Sequence, residues 1–561
     1  MERGLFIAGQ PLSYNRRMKR ILPVALLAML LAAGCASAAP GAAQTTPAQP
    51  TFTPQPTTPN PTLTPTASST PQPRLTPAVL GPDQAGFPAG VNPLTGLRMQ
   101  DPSLLDLPAV LVSISNMPVT ARPQAGTSFA SWIFELFIGE GTSRYMGVFY
   151  GDLPRRIPNA AGGCDVTTTQ RPTPATTRVG NRVWLDENHD GRQDPWEAGV
   201  AHVCAELYDA ANNNLLQTTV TDSNGYYAFN VTPGKAYRLQ FLPPPPYGFT
   251  TANVGNDDED SDADPATGST AIFTIATTDF SWDAGLVLQK PVTPVYSPAD
   301  IAPTRTYVGP IRSGRLTYNE FFNMFPASCL VYASAGNGIR QLLHGCQIIF
   351  GEHPDESPNT ALLDTTRLLD LARQSKIPNQ PVNYSGNLFS DTPPAGGLPG
   401  GSLWTFFHAY TQALWQYDPF SGTYLRQTDD ADGKGLFHPD TDRLTGRQLA
   451  FDNLIVVLAD YQVVRHGQYD VNLHYGLEGY AFLFRDGQMY KIRWSTANHD
   501  WEKQTGLLRP IHFIGTDRQP FPLKPGHSWI IIMTTNSALK DLGQGKWQAL
   551  FAMPDDFPPA K

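Results

Sequence analysis

The chain has 561 residues, 40 Lys and Arg against 49 Asp and Glu, and a net charge of −9. That length suits roughly two to four folded units, and an acidic balance without basic runs excludes a nucleic-acid-binding surface. The 53 prolines and 48 glycines are many for one compact domain; they cluster, so folded blocks joined by extended linkers are expected.

Arg16, Arg17, Lys19 and Arg20 precede an apolar run over 21–33 that leads into Gly34-Cys35. A basic start, a short apolar stretch and small residues before a cleavage point make a secretory signal, too short to span a bilayer. Leu31-Ala32-Ala33-Gly34-Cys35 resembles a bacterial lipobox, which implies cleavage before Cys35 and a lipid on its sulfur. Plain secretion is the alternative, and either Met1 or Met18 is the start. The expected location is extracytoplasmic, lipid-anchored to a bacterial membrane. Residues 36–84 form a Thr/Pro-rich linker that cannot bury a core. Among later cysteines, Cys164, Cys204, Cys329 and Cys346 allow two disulfides in any of three pairings. Cys329 with Cys346 and Cys164 with Cys204 is the expected set, with free thiols as the alternative.

Linkers at 156–178 and 289–305 bracket a block, 179–288, with period-2 alternation: Val203, Ala205 and Leu207 face one way, His202, Cys204 and Glu206 the other. Short alternating strands with turns such as Ser223-Asn224-Gly225 predict an antiparallel β-sandwich with Cys204 pointing outward. Between two of its strands, Asp186, Asn188, Asp190, Arg192, Asp194 and Glu197 occupy positions 1, 3, 5, 7, 9 and 12 of a loop with Gly191 at 6. That spacing wraps oxygen donors around calcium, Arg192 through its carbonyl and Glu197 through both carboxylate oxygens. A second acidic run, 257–264, is either a solvated charge run or a second calcium site. The block resembles the SdrD B-like domain of serine-aspartate-repeat adhesins through Gly180-Asn181-Arg182-Val183-Trp184-Leu185-Asp186, the calcium loop, Thr221-Asp222-Ser223-Asn224-Gly225 and Asp283-Ala284-Gly285-Leu286. The resemblance implies an immunoglobulin-like, calcium-stiffened, non-catalytic module.

This module interrupts a host. Asn92-Pro93-Leu94-Thr95-Gly96-Leu97 and Ser131-Trp132-Ile133-Phe134-Glu135 lie before it; Val308-Gly309-Pro310-Ile311-Arg312, Tyr417-Asp418-Pro419-Phe420 and Leu523-Lys524-Pro525-Gly526-His527 lie after it. The strand ending near Tyr150 and the turn at 309–310 read as two sides of one interrupted surface loop, with close ends. These motifs resemble the YerB-like lipoproteins, a family of unknown function, over 85–155 and 306–535. The resemblance implies an α+β protein: a mixed α/β N-terminal domain (85–155 and 306–410) and a mainly β C-terminal domain (411–545), followed by a tail at 546–561. Helical spacing of Leu362, Leu363, Leu368, Leu369 and Ala372 predicts a helix, and Asp486-Gly487 within 481–494 a hairpin. Family members often carry His where Ser334 stands.

Arg122, Glu135, Glu140, Arg144, Arg312 and Arg315 sit in turns or at strand ends, where binding residues tend to lie. Several guanidinium forks would receive carboxylate or phosphate groups of cell-wall polymers; internal Arg–Glu pairing, such as Arg144 with Glu135, is the alternative. Glu135 and Glu140 are the candidate acid and base of a hydrolase or transferase, and His438 with Asp440 and Asp442 a candidate metal group. No G-x-S-x-G, H-E-x-x-H or phosphate loop is present. The sequence therefore points to a non-catalytic, membrane-anchored binder of a cell-wall polymer or envelope protein, with calcium as its cofactor. A wall enzyme and a purely structural adhesin are the alternatives.

Overall fold

A computed structural model describes residues 79–154, 177–244, 247–289, 306–336, 338–344, 346–348, 361–465 and 468–554. Cys35, residues 36–78 of the expected 36–84 linker, Cys164 and most of both linkers around the inserted block lie outside these residues. No helix among the described residues is long and apolar enough to cross a membrane.

The fold is mostly β. Strands Val110–Ser115 and Trp132–Gly139 are buried at every position, as continuous apolar runs covered on both faces should be. Val110–Ser115 pairs antiparallel with Thr142–Phe149 and parallel with Cys329–Tyr332. Trp132–Gly139 pairs antiparallel with Thr142–Phe149 and parallel with Ser528–Thr534, which itself runs parallel to Asn453–Arg465. Segments from before the insertion, after it and from the C-terminal part thus share one fourteen-stranded mixed sheet. Asp486 and Gly487 both have positive φ, 50° and 69°. They turn Glu478–Arg485 into Gln488–Ser495, the expected hairpin.

Helices among the described residues are short: Tyr318–Met324, Thr365–Ser375 and Asp500–Thr505. The expected helix begins later than its leucines suggest. Leu362 and Leu363 belong to strand Ala361–Asp364, and Asp364 caps the helix by accepting from the Thr366 amide at 2.8 Å. From there Leu368, Leu371 and Ala372 face the core.

A seven-stranded second sheet is built mainly from Ser402–His408, Thr411–Asp418, Thr423–Asp429 and Lys546–Leu550. Its inward aromatics join the core of the first sheet: Trp415 lies 5.2 Å from Trp529, ring centre to ring centre, and Phe451 5.1 Å.

The inserted block is a sandwich of two four-stranded sheets with its own core, including Val183, Val203, Leu207, Phe229, Leu239 and Phe241. One expectation is corrected here. The pairing is not wholly antiparallel, because the first strand, Arg178–Leu185, runs parallel to the last, Ala284–Leu288. Cys204 keeps the outward parity expected of it, on the face opposite the core residues Ala205 and Leu207, yet it is buried and disulfide-bonded. The parallel pair has a topological consequence: Leu286 lies opposite Leu185, not opposite Arg178. The module's two ends therefore sit at opposite ends of a strand, about 30 Å apart at 3.3 Å per residue. The host's own loop ends are close, since a Cβ on Gly126 would stand 3.1 Å from Pro154 and 3.2 Å from Val308.

The sandwich rests on the host. Tyr226 and Phe280 both meet Phe420 edge-on, at 5.2 and 4.9 Å. Ala198 packs into the host core, and Arg447 donates to the Gly199 carbonyl.

Candidate functional site

Strand Arg178–Leu185 delivers Asp186 into the first acidic loop, where it is fully buried. Its carboxylate accepts from the amides of Gly191 at 2.9 Å and Asp190 at 3.2 Å, and from the Thr250 hydroxyl. Gly191 has φ 78°, and a Cβ there would stand 2.7 Å from the Thr251 carbonyl, so the bend needs glycine. The Asn188 amide donates to Asp190 at 3.2 Å and Asp194 at 3.0 Å. Glu197, also buried, accepts from the amides of Glu187 at 2.9 Å and Asp194 at 3.1 Å. Asp186 and Glu197 thus turn toward one interior. Burial pushes the Glu197 carboxyl up to about 8, with Asp186 and Asp194 adding to the rise; burial and then Asp190 raise Asp194.

The second acidic run packs against the first. Arg192 and Asp260 form a β-bridge, and the Gln193 amide donates to the Glu259 carbonyl at 2.5 Å. Asp257, Asp260 and Asp262 each bring a carboxylate oxygen within 4.8 Å of the others'. Asp260 is 3% exposed. Its Oδ2 accepts from the Gly255 amide at 2.6 Å, while its buried Oδ1 has no hydrogen-bond partner among the described residues. Asp262 accepts from the Asp283 amide at 2.6 Å, and burial pushes it up to about 8. Desolvated carboxylates this close need either protons or a cation, and an all-oxygen set suits a hard ion. The metal-capable cluster among the described residues therefore lies on the run that loop spacing ranked second. A sequence shows that 257–264 is acidic; it does not show which carboxylates fold inward.

The host arginines divide. Arg144 is 4% exposed and donates to the Ser313 carbonyl at 3.2 Å. Burial lowers it to about 9, against support from Tyr318, with Arg315 and Arg312 lowering it further. Arg312 is lowered by burial and by Arg315. The three guanidinium groups thus share one region. The Nε atoms of Arg144 and Arg315 are buried without a hydrogen-bond partner, and no carboxylate among the described residues pairs with either side chain.

Arg122, Glu135 and Glu140 do not join them. Arg122 pairs with Asp429 at 3.4 Å and donates to Asn116. Glu135 accepts from Ser143 at 2.7 Å and Trp529 at 2.9 Å, and stands 4.0 Å from Arg426. In the sheet Glu135 lies opposite Tyr145 and Arg144 opposite Leu136, so alternation sends Glu135 and Arg144 to opposite faces. The expected Arg144–Glu135 pair is absent for that reason. Glu140 sits exposed in the turn after the strand, at φ 52°, whereas Glu135 is buried in mid-strand.

His438 pairs with Asp430 at 3.1 Å. Asp440 is bound by Arg426, and Asp442 by the amides of Gly126 at 2.9 Å and Ser128 at 2.8 Å, so this group is not a metal set. The Ser334 carbonyl accepts from the Gly314 amide at 2.6 Å. Cys329 and Cys346 form a disulfide. Sequence reasoning missed Arg426, fully buried with its guanidinium 4.8 Å from the Trp529 ring and 5.5 Å from those of Tyr145 and Trp415. Its one sequence signal is an arginine on the inward parity of a strand, between Tyr424 and Thr428.

Residues 94–161 match the N-terminal domain, and 404–530 the C-terminal domain, of a protein family of unknown function, DUF3048. Residues 177–286 match the SdrD B-like domain. The chain thus matches a DUF3048 N- and C-terminal pair interrupted by a match to an SdrD B-like domain. Neither family description names an enzyme activity. Over 78 residues the chain is 42% identical to Colossin-B of Dictyostelium discoideum, covering 14% of this chain and 2% of that one. It is 44% identical over 91 residues to serine-aspartate repeat-containing protein C of Staphylococcus aureus, 16% of this chain and 10% of that protein. With protein F of Staphylococcus epidermidis it shares 44% over 108 residues, 19% and 6% respectively. The chain spans a tenth or less of these relatives. The crystal structure of YerB from Bacillus subtilis aligns with a TM-score of 0.40 and 15% identity, over 79% of this chain and 96% of that one.

Proposed function

We propose that the chain is an extracytoplasmic, lipid-anchored bacterial lipoprotein that binds an anionic component of the cell envelope without catalysis, its inserted module held rigid by calcium. The observation that carries the binding role is the convergence of Arg144, Arg312 and Arg315. Burial and the neighbouring cations lower Arg144, and the buried Nε atoms of Arg144 and Arg315 lack a hydrogen-bond partner among the described residues, an arrangement that a carboxylate or phosphate would relieve. The signal ending at Cys35, together with the likeness of 177–286 to modules of serine-aspartate repeat proteins, supports the location. Calcium is supported by the oxygen-only donors of Asp186, Asn188, Asp190, Asp194 and Glu197, with the Arg192 carbonyl. The carboxylates of Asp257, Asp260 and Asp262 support it as well.

The test is co-sedimentation of the mature chain with purified peptidoglycan, either bearing or stripped of its phosphate-rich polymers. Arg312→Gln/Arg315→Gln is expected to cut retention about tenfold, the loss of one good charged contact, with an unchanged unfolding midpoint. Equal retention of wild type and variant would remove the arginines from the binding role.

A further inference from the structure

We propose that the outward face of the seven-stranded sheet is a second binding site, a groove that takes an anionic glycan. It does not rest on the arginine cluster. Strand Ser402–His408 alternates strictly, with Leu403, Thr405 and Phe407 buried inward. The outward positions, where a sheet facing water should carry polar residues, instead hold Trp404 and Phe406, half-exposed and edge-to-face at 6.0 Å. With Phe437 and Leu542 they line an open groove of about 540 Å³, the size range of small-molecule sites. Apolar surface of this kind costs solubility unless something covers it.

The groove's chemistry selects the occupant. The Gln412 amide lies at its wall and accepts from the Trp404 indole at 3.2 Å, which fixes the ring for stacking. Beside it the Gln427 side chain donates to Gln416 at 2.6 Å, so amides run alongside the aromatics. Lys434 and Lys546 line the groove and no carboxylate does, although the chain as a whole carries −9. Lys434 is held by Asp432 at 2.6 Å, which leaves Lys546 as the cation facing the ligand. Aromatic faces meet the C–H face of a sugar ring, amides meet hydroxyls, and the ammonium meets a carboxylate. A bare acyl chain would use neither the amides nor the lysine.

The experiment is calorimetric titration of the whole mature chain at low ionic strength with three probes: a uronate–N-acetylglucosamine hexasaccharide, neutral chitohexaose and a proline-rich peptide. The uronate sugar is expected to bind tightest. Trp404→Ala should weaken it about tenfold, the scale of one lost stacking contact. Lys546→Glu should abolish the preference over chitohexaose, and Arg312→Gln/Arg315→Gln should change nothing. Phe437→Ser provides a second variant at an exposed-strand position, should Trp404→Ala lower the unfolding midpoint. Failure of the uronate sugar to bind, tighter binding of the peptide, equal binding of the neutral sugar, or indifference to both aromatic variants would each overturn the proposal.

Discussion

His512 shows how a single buried group sets a pH limit. It lies in strand His512–Ile514, with its Nε2 2.9 Å from that of His499. Burial lowers it from 6.5 to about 4; His499 and Arg509 lower it further, while the Pro510 carbonyl and Glu502 oppose the shift. The unfolded imidazole therefore takes its proton before the folded one does. Its contribution is whole above about pH 6.5 and is lost as pH falls toward about 4. Urea midpoints of the whole chain should drop between pH 7 and pH 5, and His512→Gln should flatten that drop. Arg426 is the opposite case, a buried cation with partners: Asp440, the Tyr145 hydroxyl at 2.9 Å and Glu135 at 4.0 Å. Arg426→Ala strands Asp440 and Glu135 in the core and should cost about 3–5 kcal/mol in urea unfolding. Arg426→Lys should recover only part of it, because an ammonium cannot reach several acceptors in one plane. None of these partnerships was legible in the sequence. Arg426 meets Tyr145 and Glu135 from across the chain, and even the nearer pairs join separate elements whose packing decides which side chains meet.

Local elements were far more readable. The turn at Asp486-Gly487 demands positive φ at two successive residues, and few dipeptides supply that. The loop from Asp186 to Glu197 is equally local, because its donors, its glycine and its spacing lie within twelve positions. The helix start was misplaced since Leu362 and Leu363 fit helix and strand alike, and only the Asp364 cap separates them. The outward Trp404 and Phe406 were missed because an alternating strand with two apolar faces reads like a buried one. At this scale the acidic loops make a direct prediction. Asp260→Asn removes one charge from the crowded cluster at a side chain whose Oδ1 lacks a hydrogen-bond partner among the described residues. It should raise the module's melting temperature in chelator, by relieving repulsion, and lower its gain from added calcium. Differential scanning fluorimetry in both conditions reads both effects.

At the scale of the molecule, the host's two sequence-separated parts are one folding unit. Ser528–Thr534 is hydrogen-bonded on one side to Trp132–Gly139 and on the other to Asn453–Arg465. The sandwich keeps a separate core and touches the host through Phe420, Ala198 and Arg447. That a module interrupts a host was legible from composition and motifs. The parallel pairing of its first and last strands was not, because no local pattern encodes a pairing between strands a hundred residues apart. Crowded, desolvated carboxylates mark the acidic loops of the module, and the claim that calcium neutralises them is the one most directly open to measurement. Differential scanning calorimetry of the whole chain should show two transitions in calcium, and chelator should lower only the module's, with readdition restoring it. A thermogram unchanged by chelator would contradict the account.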